Sequence, residues 1–260
     1  MYLLIRLKRK LLAVVLCICV VLSGTVYVTA TAAKEDQKAI PVLMYHSILE
    51  DEKHWGKYVI SPAEFEKDLA YLQREGYTAV GAAELIAYTQ KKGVLPEKPI
   101  VLTFDDGYYN NYLYAYPLAK KYGTKIIISP IGYWSDQYAK ESALSPYYAH
   151  CTWEQIREMS ESGVVEFGNH TYNLHLSKGA RLGAKQLPGE SAEDYRELLQ
   201  RDISTMQEKL LAATGEDTKI FTYPFGAVSE NTPAIIEEMG FLITFSCESR
   251  ISTICRSPES

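Results

Sequence analysis

Two hydrophobic patterns alternate along the chain from residue 40 onward. Short continuous apolar runs predict buried strands, whereas apolar residues three or four positions apart predict amphipathic helices. The predicted strands span residues 40–48, 77–80, 100–104, 125–131, 164–168, 220–223 and 241–247. The predicted helices span residues 61–76, 82–90, 109–122, 152–163, 191–213 and 229–239, with Ser61 and Thr152 as N-cap residues. Residues 132–150, rich in Tyr, Ser and Pro, are predicted to form a loop.

This alternation of strands and helices predicts an α/β protein with a parallel sheet. No change in composition marks a second domain, so the sheet is either an open doubly wound sheet or a barrel. Polar or turn residues follow several strands, at His46, Asp105-Asp106, His170 and Phe225. In a barrel these strand ends meet at one face, whatever their distance in sequence. We therefore favour a (β/α) barrel of about seven parallel strands.

The strongest chemical signal lies at the end of the strand 100–104, which continues directly into Asp105, Asp106 and Gly107. Side chains alternate along a strand, so both carboxylates can face one site only if the backbone bends at once. Gly107 supplies that conformational freedom. Two adjacent ionised carboxylates repel each other, and a nearby cation relieves the repulsion. Taken alone, the three residues are also typical of an ordinary turn.

A pair of histidines follows the strand 164–168. His170 and His175 are separated by five positions, which on an α-helix would place their rings about 140° apart. A loop beyond the strand end can instead turn both rings inward. Two imidazoles and one carboxylate, with positions left open, form a catalytic metal shell that suits Zn²⁺. Two histidines in a loop are also common as hydrogen-bonded surface residues, so the pair gains meaning only beside the aspartates.

The first 33 residues have the order of an export signal. Basic residues at 6–10 precede an apolar run at 11–28, and small residues follow at 30–33. The run approaches the length of about 20 residues that spans a bilayer, so the segment 1–33 is either a cleaved signal peptide or an uncleaved membrane anchor. Residues 34–39 are interpreted as a linker. In both cases the domain that starts at residue 40 is expected outside the cytoplasm, secreted or at the cell surface.

Composition narrows the choice of partners. The net charge of −5 gives no reason to expect a nucleic acid partner.

Beyond the export segment the chain keeps three cysteines, Cys151, Cys247 and Cys255. This odd number allows at most one disulfide and one free thiol. Contact with a membrane is expected only through an uncleaved N-terminal segment, and the domain is expected to be a monomer.

Three motifs in order resemble those of the polysaccharide deacetylase family, the carbohydrate esterases with a NodB homology domain. They are TFDDGYYNN at 103–111, NHTYNLH at 169–175 and TYPFG at 222–226. The segment IPVLMYHSI at 40–48 resembles the opening strand of the exported branch that contains poly-β-1,6-N-acetylglucosamine deacetylases. The resemblance implies a distorted (β/α) barrel over residues 40–260 and an acetylated amino-sugar polysaccharide as substrate.

The resemblance also implies roles for individual residues. Asp106, His170 and His175 match the three metal ligands of the family, and Asp105 matches its catalytic base. The backbone N–H of Phe225 stands at the position of the oxyanion donor. A divalent metal, Zn²⁺ above all, is the expected cofactor, because it lowers the pKa of bound water to about 7.

Two departures from the family pattern accompany these matches. Thr222 stands where many members carry an arginine that orients the base, and no histidine follows His175 to act as general acid. Either another group protonates the leaving amine, or the enzyme is slow, or the sequence is truncated at its C-terminus. His46, at the end of the first strand, can reach the same face and is a candidate catalytic residue, although a lone histidine is equally compatible with a structural role.

The sequence therefore predicts an exported metal-dependent hydrolase that removes N-acetyl groups from a cell-surface polymer containing N-acetylglucosamine. Two alternatives remain open. The first is a catalytically weakened glycan-binding or scaffold protein on the same barrel, which the missing late motifs favour. The second is an O-acetyl esterase of the xylan type, because attack by water differs little between an ester and an amide.

Overall fold

The computed structural model of the chain describes residues 37–177, 181–248 and 252–255. The predicted export segment 1–33 lies outside the described residues. The strands are β1 Gln37–Ile40, β2 Val42–Tyr45, β3 Ser47–Ile48, β4 Val59–Ile60, β5 Thr78–Ala79, β6 Pro99–Asp106, β7 Ile126–Pro130, β8 Val165–Phe167, β9 Ile220–Thr222, β10 Ile243–Phe245 and β11 Ser252–Cys255. The helices are α1 Pro62–Arg74, α2 Ala82–Thr89, α3 Tyr116–Tyr122, α4 Gly132–Tyr138, α5 Trp153–Glu161, α6 Ala192–Thr214 and α7 Thr232–Glu238.

Strand β6 is the centre of the parallel sheet. It pairs with β2, β5 and β7, and β7 pairs in turn with β8, all in parallel orientation. Beyond β8 the chain continues the pairing through a parallel bridge between Asn169 and Phe221, and β9 pairs with β10. The register places Asp105 beside Ser129 and Asp106 beside Pro130. The parallel strands predicted from the alternation are thus present, and the two aspartates lie at the carboxyl end of the central one.

The long helix α6 joins the two parts of the hydrophobic core. Its C-terminal half contributes Met206 and Leu210 to a cluster with residues of β6, β7 and β8. Its N-terminal half contributes Leu199 and Ile203 to a second cluster with Phe221 of β9. One helix thus packs on both clusters and connects the core around β6, β7 and β8 with the core around β9.

The two predicted N-cap residues, Ser61 and Thr152, are confirmed. The Ser61 hydroxyl accepts a hydrogen bond of 3.0 Å from the Glu64 N–H at the start of α1. Thr152 and Gln155 bond to each other's backbone N–H at the start of α5, as in a capping box. Helix starts are predictable because a cap is a bond between near neighbours in sequence.

Some predicted elements differ from the structure. The segment 132–150 is not all loop, because Gly132–Tyr138 forms helix α4. That helix lacks a side-chain cap, and its first N–H groups bond instead to the carbonyls of Thr171 and Tyr172, far away in sequence. The predicted helix 109–122 begins as a π-helical turn at Asn111–Ala115. Pro117 has no N–H to donate, which accounts for an irregular first turn.

The chain divides into a large unit, Ile40–Ser252, and a small unit that contains residues 1–39 and 253–260. In the small unit the described residues belong to a two-stranded sheet of β1 and β11. Strand β1 overlaps the predicted linker 34–39. Within the described part of the chain, no helix combines the length and the apolar character needed to cross a membrane.

Replacing Gly107 by alanine should destabilise the large unit by about 2–5 kcal/mol. The residue has a φ of +68°, which costs an alanine about 1–2 kcal/mol, and an added Cβ would lie 2.5 Å from Cβ and 2.7 Å from Cα of Pro130. Gly123→Ala is the matched control, since Gly123 has a φ of +59° and nothing within 4 Å of the added atom. We expect the control to lose only about 1–2 kcal/mol in urea unfolding. Equal losses for the two variants would show that Pro130 does not restrict this turn.

Candidate active site

The carboxyl ends of the central strands open into one cleft of about 510 Å³ within the large unit. The cleft brings together all the residues that the sequence predicted for the site. Its lining includes His46, Asp105, Asp106, His170, His175 and Phe225. On the remaining wall lie Ser47, Leu49, His54, Tyr58, Val59, Tyr108, Tyr147 and Cys247.

The backbone bend predicted at the aspartate pair begins one residue earlier than expected. Asp106 itself has a φ of +68°, as Gly107 does. The Gly107 N–H donates a hydrogen bond of 2.9 Å to the Asp105 carbonyl across Asp106, which is the pattern of a tight, strained γ-turn. A positive φ at a residue other than glycine costs about 1–3 kcal/mol and is typical of functional sites. This turn directs both carboxylates into the cleft.

The two histidines converge on the Asp106 carboxylate. The distance from Asp106 Oδ1 is 3.5 Å to Nε2 of His170 and 3.2 Å to Nε2 of His175. Nδ1 of His170 lies 2.8 Å from the backbone carbonyl of Thr222. A carbonyl only accepts hydrogen bonds, so Nδ1 carries the proton and Nε2 directs its lone pair at the cleft. Thr222, found where an arginine was expected, therefore orients a histidine through its backbone.

These three side chains fit a metal ion. One ligand atom from each of Asp106, His170 and His175 lies within 4.8 Å of the others. Oδ1 of Asp105 and Oδ1 of Asp106 are both buried and have no hydrogen-bond partner among the described residues. Burying a carboxylate oxygen without a partner is costly, and a cation between the three groups would remove that cost. Two imidazole nitrogens and a carboxylate form a donor set that suits Zn²⁺.

The pKa values reflect the same grouping. Burial opposes the ionisation of Asp106, but contact with His170 and the charges of His170 and His175 hold its pKa well below the usual range. Burial also opposes the charged form of His170, yet Asp106 and Asp105 raise its pKa. Burial, together with the charge of His170, lowers the pKa of His175 to about 4. At neutral pH the His175 imidazole is thus neutral, which is the form of histidine that binds metals, and a positive charge is favoured between His170 and Asp106.

Asp105 lies beside this group without joining it. Its side chain is almost fully buried, at 4% exposure. Burial raises the pKa of Asp105 and the charge of Asp106 adds to the rise, whereas His170 and His46 oppose it. A carboxylate with a raised pKa and an unpaired oxygen is suited to accept a proton. Among the described residues no side chain was found that orients Asp105 as the family arginine would.

His46 and Phe225 both line the cleft, and each contacts a different aromatic ring. The ring of His46 lies 4.9 Å from the ring of Tyr58, and the ring of Phe225 lies 4.2 Å from that of His175. Phe225 has a φ of +58°, and the turn around it is closed by the N–H groups of Gly226 and Ala227. The N–H of Phe225 is not used in those two bonds.

Sequence reasoning missed the residues that support the site. The Asn111 side chain donates a hydrogen bond of 2.8 Å to the carbonyl of His46. Nδ1 of His150 donates a bond of 2.9 Å to the carbonyl of Asp106. The pair of asparagines at the end of the TFDDGYYNN motif was the one available signal for Asn111. His150 gave none, because its partner is a backbone atom.

A parallel α/β barrel with paired carboxylates and two imidazoles at the carboxyl ends of its strands defines an enzyme of the hydrolase class. The chain belongs to the polysaccharide deacetylase family, whose sequence profile matches residues 92–243. This confirms the resemblance drawn from the three motifs.

Individual relatives agree with the family. The chain is 27% identical over 231 residues to the poly-β-1,6-N-acetyl-D-glucosamine N-deacetylase of Escherichia coli strain K12, a match that covers 81% of this chain and 34% of the relative. The chain thus spans about a third of the length of that relative. A de-N-acetylase structure from Aggregatibacter actinomycetemcomitans is 28% identical, with a TM-score of 0.72 over 82% of this chain and 89% of that one.

A further structure, IcaB from Ammonifex degensii, is 31% identical with a TM-score of 0.67 and covers 80% of this chain and 83% of that one. These similarities, together with the parallel strand pairing, confirm the prediction of a distorted α/β barrel.

Proposed function

We propose that this chain removes N-acetyl groups from a polymer of β-1,6-linked N-acetylglucosamine by metal-assisted hydrolysis. The observation that carries the proposal is the convergence of Asp106, His170 and His175 in a cleft beside Asp105, whose Oδ1 has no hydrogen-bond partner among the described residues. The β-1,6 linkage is inferred from similarity to relatives such as the poly-β-1,6-N-acetyl-D-glucosamine N-deacetylase of E. coli.

The three proposed ligands and the neighbouring Asp105 have different roles in the proposed reaction. Asp106, His170 and His175 would hold a divalent cation, most suitably Zn²⁺, which would supply Lewis-acid chemistry and make water easier to deprotonate. Asp105 accepts the proton of the water that attacks the acetamide carbonyl. Its buried position favours this role, since burial raises its pKa.

The developing negative charge on the acetamide oxygen needs a hydrogen-bond donor. The N–H of Phe225 is the candidate, because Phe225 lines the cleft and the bonds that close its turn at Pro224–Gly226 use the N–H groups of the two following residues. A donor aimed at such an oxyanion typically contributes about 3–4 kcal/mol to the transition state.

The leaving amine needs a proton, and His46 is the candidate donor. It lines the cleft, and its backbone carbonyl accepts a hydrogen bond from Asn111. A histidine in this place compensates for the missing histidine after residue 175. A His46→Gln variant that releases acetate at the wild-type rate would contradict this role.

We further propose that the chain works outside the cytoplasm. The order of basic, apolar and small residues in the segment 1–33 supports export. A long polysaccharide substrate agrees with the open form of the cleft, which lies at the molecular surface.

The direct test is acetate release from β-1,6-linked N-acetylglucosamine oligomers by the purified protein. We expect activity that falls to background after treatment with a chelator and returns when Zn²⁺ is added, because the three ligands then regain their cation. The bound metal is quantified in the same samples by mass spectrometry.

The same assay separates the alternatives. A protein that retains zinc but releases no acetate from any substrate would be a glycan-binding module. Acetate released from acetylated xylan alone would identify an O-acetyl esterase. Activity that survives complete removal of the metal would overturn the metal-assisted mechanism.

A further inference from the structure

The loop between β8 and α6 carries both histidine ligands, and it is held under backbone strain. Thr171, the residue directly after His170, has a φ of +71°. Threonine is β-branched, so a positive φ is especially unfavourable for it. A strained residue beside a ligand persists only if the surrounding structure restrains it. The loop therefore needs contacts that restrain its backbone, and the hydrogen bonds near Thr171 identify them.

The principal restraint on the loop is the carboxylate of Asp202 on helix α6, which accepts hydrogen bonds from its backbone. Its Oδ1 accepts a hydrogen bond of 2.7 Å from the Tyr172 N–H, and its Oδ2 accepts one of 2.9 Å from the Asn173 N–H. The two carboxylate oxygens thus each accept one hydrogen bond from consecutive backbone N–H groups, and these lie between His170 and His175 in the sequence. Hydrogen bonds to an ionised carboxylate are about twice as strong as neutral ones.

Other hydrogen bonds also restrain this loop, but they involve other atoms of the loop. Asn169 accepts from the Thr171 N–H at 2.9 Å and donates to the Ile203 carbonyl of α6 at 3.0 Å. On the opposite side, the N–H groups of Gly132 and Tyr133 donate to the carbonyls of Thr171 and Tyr172. The Asp202 carboxylate is the charged group in this set, and its bonds lie closest to the midpoint between the two ligands.

We propose that Asp202 is a positioning residue of the metal site, which holds the strained loop so that His170 and His175 direct Nε2 at the same point as Asp106. The inference rests on the proposed function, because it concerns the geometry of the proposed ligands. Leu174 belongs to the core cluster with Leu199 and Phe221, and Asp202 is not part of that cluster. The loop should therefore relax locally while the domain remains folded.

The test compares Asp202→Ala with the wild-type protein. We expect the dissociation constant for Zn²⁺, measured by competition with a chromophoric chelator, to rise about 10- to 100-fold, as for other residues that orient metal ligands. In the cobalt(II)-substituted protein the visible absorption band should shift, because the ligand angles change. At saturating zinc, kcat should fall while KM for the oligomer stays unchanged. Glu208→Ala, which removes an exposed carboxylate from the same helix, is the matched control and should behave as wild type.

The outcomes separate this inference from the proposed function. Should the wild-type protein bind no zinc, the proposed metal site itself fails. Should wild type bind zinc while Asp202→Ala binds it equally tightly with the same cobalt spectrum, only the role of Asp202 is refuted. If the alanine variant does not fold, Asp202→Asn replaces it. The asparagine keeps the side-chain volume and one acceptor oxygen, so a smaller change in the same direction supports the inference, and an unchanged affinity contradicts it.

Discussion

The Asp106→Asn variant is expected to lose its bound zinc and to release acetate about 10³-fold more slowly than wild type. Asparagine tolerates a positive φ about as well as aspartate, so the strained turn at φ +68° should be kept and only the charge is removed. The loss follows from the Lewis-acid contribution of the cation, which amounts to several kcal/mol, and about 4 kcal/mol corresponds to a 10³-fold change in rate. Zinc content and acetate release are measured on the same preparation.

This variant also tests the electrostatics of the site. Asp106 raises the pKa of His170. Without the negative charge of Asp106, the positive form of His170 is less stabilised. Glu208→Ala serves again as the control for removal of one negative charge at an exposed position. A variant that keeps one equivalent of zinc and most of its activity would show that Asp106 is not a ligand.

The second large effect is expected at Asp105. Asp105→Asn should keep its zinc and its KM, while kcat falls by about 10²- to 10⁴-fold, the usual contribution of a general base. The carboxylate is buried with one oxygen unpaired, and an amide of the same size cannot accept the proton of the attacking water. The measurements are zinc content, kcat and KM for the oligomer.

The contrast between the two neighbouring aspartates is the informative part of this experiment. Asp106→Asn should remove both metal and activity, whereas Asp105→Asn should remove activity alone. If Asp105→Asn also lost the metal, Asp105 would have to be assigned to the ligand set. If it kept more than a tenth of the wild-type kcat, another group would have to be the base.

Much of the fold and the candidate site could be predicted from local patterns. The Asp105-Asp106-Gly107 sequence after an apolar run indicated a strand end with a bend, and the structure has a positive φ at two of the three residues. The caps at Ser61 and Thr152 were likewise visible, because their bonds join residues three positions apart. Helix α4 was missed because its first turn is held by carbonyls about 40 residues away, a contact that no local pattern contains.

The supporting contacts of the site also escaped prediction. His170 bonds to a carbonyl 52 residues away, His150 to one 44 residues away, and Asp202 to N–H groups about 30 residues before it. All of these bonds involve backbone atoms, which every residue carries. The type of residue therefore gives no signal, and only the folded chain reveals the partner.

By itself, the sequence determined the order of strands and helices, the chemical groups available for a metal and a base, and the family to which these motifs point. The tertiary structure alone decided that His170 bonds to the Thr222 carbonyl and that Asp202 accepts bonds from the loop after His170. It also decided that the bend starts at Asp106 itself. The physical reason is the distance along the sequence between interacting residues. Hydrophobic periodicity and helix caps depend on neighbours within a few residues. The geometry of the site depends on backbone groups that only the closure of the barrel brings together.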